Sequence, residues 1–256
     1  MNVWTVTNQK GGVGKTTSVV ALGGLLAEKG QRVLMVDLDP HGSLTSYFRF
    51  DPDETESSIY NLFQSVVANT ALHPERLISE TGMVGLDLLP ASTALATLDK
   101  QFGVKGGMGL VLSTSLHQLK TRYDYALIDT PPMLGVLMVN ALAACNHLII
   151  PVQTEFLALK GLERMLSTLS MIMKSTKKDI PYSVMPTLFD RRTKASVDSL
   201  RALRDKYPES TWSSAIPVDT RFRDASAAGV PPSVFAPNAR GVDAYLSFLE
   251  QLQATS

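Results

Sequence analysis

Near the start of the chain, Asn8-Gln9-Lys10-Gly11-Gly12-Val13-Gly14-Lys15-Thr16-Thr17 combines the residue types needed to hold a polyphosphate. Glycines let a backbone turn tightly enough to aim several N–H groups at one point. A helix opening directly after them adds the partial positive charge of its N-terminus. Lys15 is placed to reach the β- and γ-phosphates, and the Thr16 hydroxyl to ligate Mg²⁺. The ordinary pattern of such a loop has glycine where this chain has Gln9, and Lys10 adds a second ammonium group. A glycine-rich run can also be a plain turn. Its place between an apolar strand and a helix is what favours phosphate.

Two acidic strand ends suit the loop. Val36-Asp37-Leu38-Asp39-Pro40 and Leu127-Ile128-Asp129-Thr130-Pro131-Pro132 each close a short apolar run. In a doubly wound sheet the carboxyl ends of the strands form the ligand crevice. Carboxylates there hold Mg²⁺ directly or through its waters, and orient a water toward a terminal phosphate. Alone, each aspartate reads equally as a turn or cap residue.

These groups need strands and helices to position them. Continuous apolar runs over 3–7, 32–37, 86–89, 125–129, 147–152 and 182–185 predict buried parallel strands. Helical patterns fall over 16–29, ending at Gly30, and near 107–121, 135–144, 159–174, 194–206 and 239–252. The alternation predicts an α/β fold: a doubly wound, mostly parallel sheet with helices on both faces, in one domain over 1–256. Residues 40–85 are the least regular and read as a switch-like loop with short helices.

Composition narrows the classes. Hydrophobic residues are 45% of the 256, which excludes wholesale disorder. Lys+Arg and Asp+Glu number 24 each, which argues against a whole surface that coats nucleic acid and leaves room for a local basic patch. The single cysteine, Cys145, cannot form an internal disulfide or a thiolate metal site, so a reducing, cytoplasmic setting is expected. No run of 18 apolar residues predicts a transmembrane helix, and the first residues lack a signal peptide pattern. His73, His117 and His147 share no ligand spacing; Met165, Met171 and Met173 read as helix packing.

KGGVGKTT, VDLDP and IDTPP, in this order, resemble the deviant Walker A ATPases of the ParA/MinD class over nearly the whole chain. Pro151 to Glu155, Ala158 to Gly161, Leu188 to Thr193 and Ile216-Pro217 look like the ParA/Soj branch. The resemblance implies ATP and ADP with Mg²⁺ as ligands. Gly11 to Thr17 match the nucleotide cradle, and Pro217 a residue bordering adenine. Lys15 matches the phosphate-loop lysine, and Lys10 the lysine that reaches across a nucleotide-sandwich homodimer to the partner's phosphates. Asp39 matches the aspartate that positions the attacking water. Thr16, Asp37 and Asp129 belong with Asp39 to the metal site, Asp129 acting through water. His41 and Arg191 depart from the family's usual Gln and Gly. The implied activity is slow, Mg²⁺-dependent ATP hydrolysis used as a switch and stimulated by a partner protein.

Residues 189–223 carry eight Lys/Arg against five Asp/Glu. Arg192 and Arg221 match arginines with which ParA relatives hold DNA non-specifically, and such phosphate contacts are sequence-independent and salt-sensitive. The same stretch also reads as a solvated mixed-charge helix face. The tail has an apolar stripe (Tyr245, Leu246, Phe248, Leu249, Leu252) but no Lys or Arg after Arg240, so it reads as a helix packed on the sheet rather than a membrane anchor. With the loop within ten residues of Met1, an N-terminal operator-reading module is not expected. The resulting expectation is a positioning switch, nucleoid-associated or at a cell pole. Its cargo is a plasmid or chromosome partition complex, or a chemotaxis or flagellar assembly. A small-molecule ATP-dependent enzyme and a non-hydrolysing ATP-bound scaffold are the alternatives.

Overall fold

The computed structural model describes residues 1–98, 107–176 and 178–255. Five strands are apolar and mostly buried: β1 (Asn2–Val6), β2 (Val33–Asp37), β4 (Leu86–Leu89), β5 (Tyr125–Asp129) and β6 (His147–Gln153). Together with β3 (Ser79–Met83) and β7 (Tyr182–Thr187) they form one sheet in the order β3-β4-β2-β5-β1-β6-β7. All pairings are parallel except β3 with β4.

Side chains alternate across the sheet, so each central strand feeds two cores. From β2, Leu34 and Val36 join one apolar cluster, while Val33 and Met35 join the other. The first cluster lies under α3 (Tyr60–Ala68), α4 (Val111–Gln118), α5 (Val136–Ala144) and α6 (Phe156–Thr176). The second lies under α1 (Lys15–Glu28) and α10 (Arg240–Thr255). The predicted tail stripe packs there, Leu246 only partly buried and the rest fully: Phe248 meets Trp212 edge-on at 5.2 Å, and the Tyr245 and Ser18 hydroxyls lie 2.8 Å apart. Among the described residues no helix is long and apolar enough to cross a membrane.

The sheet and its two helical layers match the expected fold class. The boundaries needed correction. The irregular stretch 40–85 holds α2 (Ser43–Tyr47), α3 and the edge strand β3, which had not been expected as a strand. Half-exposed edge strands lack the apolar run that betrays central ones. The turn at Val84-Gly85 needs a left-handed residue, and Gly85 has φ +77. The helix expected from 107 begins as a 3₁₀ turn, Met108–Leu110, before α4. Two further helices, α8 (Arg221–Ala228) and α9 (Pro232–Phe235), follow α7 (Lys194–Lys206). Of α8 only Ala225 is buried, so no apolar stripe marked it.

Candidate nucleotide and metal site

Register builds the site. Asp37 is level with Asp129 on neighbouring strands, and Asp129 is level with Val6, beside the start of the glycine loop. The loop 8–14 thus leaves β1 between the carboxyl ends of β5 and β6 and enters α1. Gly12 (φ +74) and Gly14 (φ +94) are left-handed. A Cβ on Gly11, Gly12 or Gly14 would meet nothing within 4 Å, so the loop faces open space. No side chain caps the start of α1, which leaves its first amides free for an anion.

The loop is tied down on three sides. Asn8 donates from Nδ2 to the Pro151 carbonyl (2.8 Å) and accepts the Lys10 amide at Oδ1 (2.9 Å). Thr187 at the end of β7 donates to the Val13 carbonyl (2.9 Å). Thr130 donates to the Val6 carbonyl (3.0 Å). None of the three had been singled out from sequence. A polar residue flanking the loop or ending a strand was the available signal.

Lys15 is buried at the first turn of α1, and its Nζ donates to the Lys10 carbonyl at 3.3 Å. Burial lowers its pKa, opposed by the charges of Asp129 and Asp39. Thr16 donates its hydroxyl to Asp129 Oδ2 at 2.6 Å. The other oxygen, Asp129 Oδ1, is buried without a hydrogen-bond partner. Burial, then the neighbouring Asp37 charge, hold the Asp129 carboxyl well above the ordinary range; burial does the same for Asp37. The buried Asp129 carboxyl with its unsatisfied oxygen, beside the Thr16 hydroxyl, forms a donor pair that fits a hard divalent cation.

Asp37 has a further task. Its Oδ1 accepts the Asp39 amide (3.1 Å), and its Oδ2 accepts both the amide (2.8 Å) and hydroxyl (2.7 Å) of Thr45. It therefore anchors α2 and the turn that carries Asp39, more than it faces the crevice. Asp39 Oδ1 accepts from the His41 amide and lies 3.0 Å from His41 Nδ1. Thr17 follows Thr16 in α1 and is half-buried. Lys10 reaches Gln153 Oε1 (3.0 Å) and Glu155 Oε1 of its own chain.

Pro217, Arg192 and Arg221 meet in one groove of about 590 Å³, lined also by Asp190, Asp219 and Arg240. Each expected DNA-contacting arginine forms a two-pronged pair with the aspartate two residues earlier: Arg192 with Asp190 at 2.9 and 2.8 Å, Arg221 with Asp219 at 2.9 and 2.7 Å. Arg192 remains largely exposed, at 84% of its side chain.

A sheet of this order, with a glycine loop from its central strand and aspartates on adjacent strand ends, defines a phosphate-loop nucleotide-binding protein. A family model described as an AAA domain matches residues 1–182. The sporulation initiation inhibitor protein Soj of Bacillus subtilis is 34% identical over 250 residues, 97% of each chain. The chromosome partitioning protein ParA of Caulobacter vibrioides is 30% identical over 98% of this chain and 94% of its own. The crystal structure of cobyrinic acid a,c-diamide synthase from Mycobacterium smegmatis, with bound ATP analogue and magnesium, is 34% identical with a TM-score of 0.86, covering 99% of this chain and 94% of that one. The chain belongs to the ParA/MinD family, on its Soj branch.

Proposed function

We propose that the protein is an ATP-driven positioning switch: it binds ATP with Mg²⁺, pairs with a second copy, hydrolyses slowly and is released when a partner protein stimulates hydrolysis. The observation that carries this is the Thr16–Asp129 pair, whose orphaned carboxylate oxygen stands beside an uncapped helix and an open glycine loop. Gly11 to Thr17 cradle the phosphates, Lys15 neutralises their charge, and Thr16 and Asp129 hold the cation. Bound Mg²⁺ supplies charge neutralisation of the phosphate oxygens. Asp37 holds the Asp39 turn in place, and Asp39 accepts a hydrogen bond from the water that attacks. Lys10, supplied by the other copy, makes hydrolysis conditional on assembly. Pro217 borders the base. Arg192 and Arg221 retain the dimer on DNA without reading sequence, and pairing doubles that patch. The setting is the cytoplasm, at the nucleoid or a pole, and the cargo is a partition complex or a polar assembly. The whole chain, 1–256, acts as one domain.

Light scattering with ADP and then ATP tests this: a doubling of mass with ATP alone is expected, and a single copy under both overturns it. Asp39→Ala should bind ATP yet lose at least 100-fold in turnover.

The similarity to the Mycobacterium smegmatis protein favours a second reading, a small-molecule amidating enzyme. An amidation that ran through a thiol nucleophile would need that thiol to be reactive. The sole thiol, Cys145, is buried and pushed up to about 11, which makes it inert. ATP turnover that requires a small acid and no protein partner would support that reading.

A further inference from the structure

Lys10 is the residue that the proposed dimer sends to another chain's phosphates, yet its ammonium is already engaged at home. It donates to Gln153 Oε1 at 3.0 Å and pairs with Glu155 Oε1. Both acceptors lie at the end of β6, which pairs directly with the strand the loop leaves. The backbone beneath is held separately, by Asn8 bridging the Pro151 carbonyl and the Lys10 amide. Only the Lys10 side chain has to swing for the pair to open. Both members are a little over a third exposed, so an incoming anion can reach the ammonium without unfolding anything.

The surroundings are those of a face that becomes covered. Phe156 and Leu157, directly after Glu155, are 68% and 72% exposed. Met133, beyond the end of β5 on the other side of β1, is 71% exposed. Exposed apolar side chains directly after Glu155 suit a surface that a second copy covers. A triphosphate brought by a second copy carries several negative charges against the single one of Glu155, so it competes for Lys10, and Glu155, left bare once Lys10 turns away, opposes it.

We infer that Glu155 is an internal counter-ion that occupies Lys10 in the single chain and yields it to the phosphates of a second copy, thereby setting the concentration at which the ATP-bound protein pairs. This rests on the dimer of the proposed function. A half-exposed ion pair is weak, so the contact is a brake and not a lock, and each dimer releases two of them. Glu155→Gln keeps the shape and removes the charge. It should tighten ATP-dependent pairing by roughly 2- to 30-fold, while ATP affinity of the single chain stays within about twofold.

The experiment is sedimentation equilibrium of wild type and Glu155→Gln with a non-hydrolysable ATP analogue. It is accompanied by a urea-denaturation cycle of Glu155→Gln, Lys10→Ala and the double variant without nucleotide. Tighter pairing together with a measurable Lys10–Glu155 coupling in the cycle supports the inference. Unchanged or weaker pairing of Glu155→Gln, beside a wild type that pairs normally, overturns it and leaves the dimer reading intact. Absence of coupling in the cycle overturns it as well. If wild type stays single with the analogue, pairing by Glu155→Gln alone supports a brake stronger than proposed; single copies in both overturn the brake and the dimer together.

Discussion

Asp129 shows how one residue links folding to ligand chemistry. In the free chain it is buried with an unpaired oxygen, and its carboxyl is held above its ordinary value by burial and by Asp37. A raised folded pKa means that the native state binds the proton more tightly than the unfolded chain. The stability contributed is full below the ordinary carboxylate range and is lost as pH rises from about 4 toward the folded value of about 8. Without nucleotide and Mg²⁺, stability should therefore fall across that window. Asp129→Asn should remove much of the loss, raising stability at pH 8 by on the order of 1–3 kcal/mol while abolishing Mg²⁺-dependent nucleotide binding. Urea denaturation at pH 5 and pH 8 checks the first effect, and titration calorimetry the second. An Asp129→Asn chain as pH-sensitive as wild type would assign the slope to other groups. At this scale the sequence pointed to a location: Lys10, Lys15, Thr16 and the three aspartates lie at the carboxyl ends of neighbouring strands. It was silent on division of labour. Nothing in the spacing of Asp37 and Asp39 says that the first is consumed by Thr45, eight residues away.

Between elements, the fit of α1 against its neighbours is close enough to reverse an ordinary propensity. Glycine inside a helix is normally worse than alanine by about 1 kcal/mol. At Gly24 a Cβ would stand 2.5 Å from the Pro231 Cβ, where α9 begins. Gly24→Ala should thus destabilise the protein, by about 1–3 kcal/mol rather than stabilise it, because α1 and α9 must move apart. Chemical denaturation measures this directly, and a net gain would show that the contact relaxes cheaply. The long strands and helices were legible because their apolar periodicity is strong. β3, α8 and α9 were not, since each is held by neighbours more than by an apolar pattern of its own. β3 rests on β4, and α9 rests on α1.

For the whole molecule, the open matter is which surface meets other macromolecules. Arg192 and Arg221 each carry their own aspartate, so part of the positive charge expected from the chain is cancelled locally. DNA retention through them requires phosphate to compete with a carboxylate, which makes it weak and salt-sensitive. Arg192→Glu should lower retention of the ATP-bound protein about tenfold at moderate salt and leave ATP affinity unchanged. Filter binding with a random-sequence duplex tests this, and equal retention by both proteins would move the DNA surface elsewhere. The Soj and ParA relatives align over 97% and 98% of this chain.

From the sequence alone came the residue types of the glycine loop, the acidic strand ends, the parallel sheet and the packing of the tail helix on it. These are local signals, carried by glycine freedom, hydrophobic period and residue type. Tertiary structure alone decided that Asp37 faces Thr45, that Asp129 keeps an unsatisfied oxygen, and that Lys10 lies against Glu155, 145 residues away. Contacts of that separation depend on strand order and register, which pair residues that no local pattern connects.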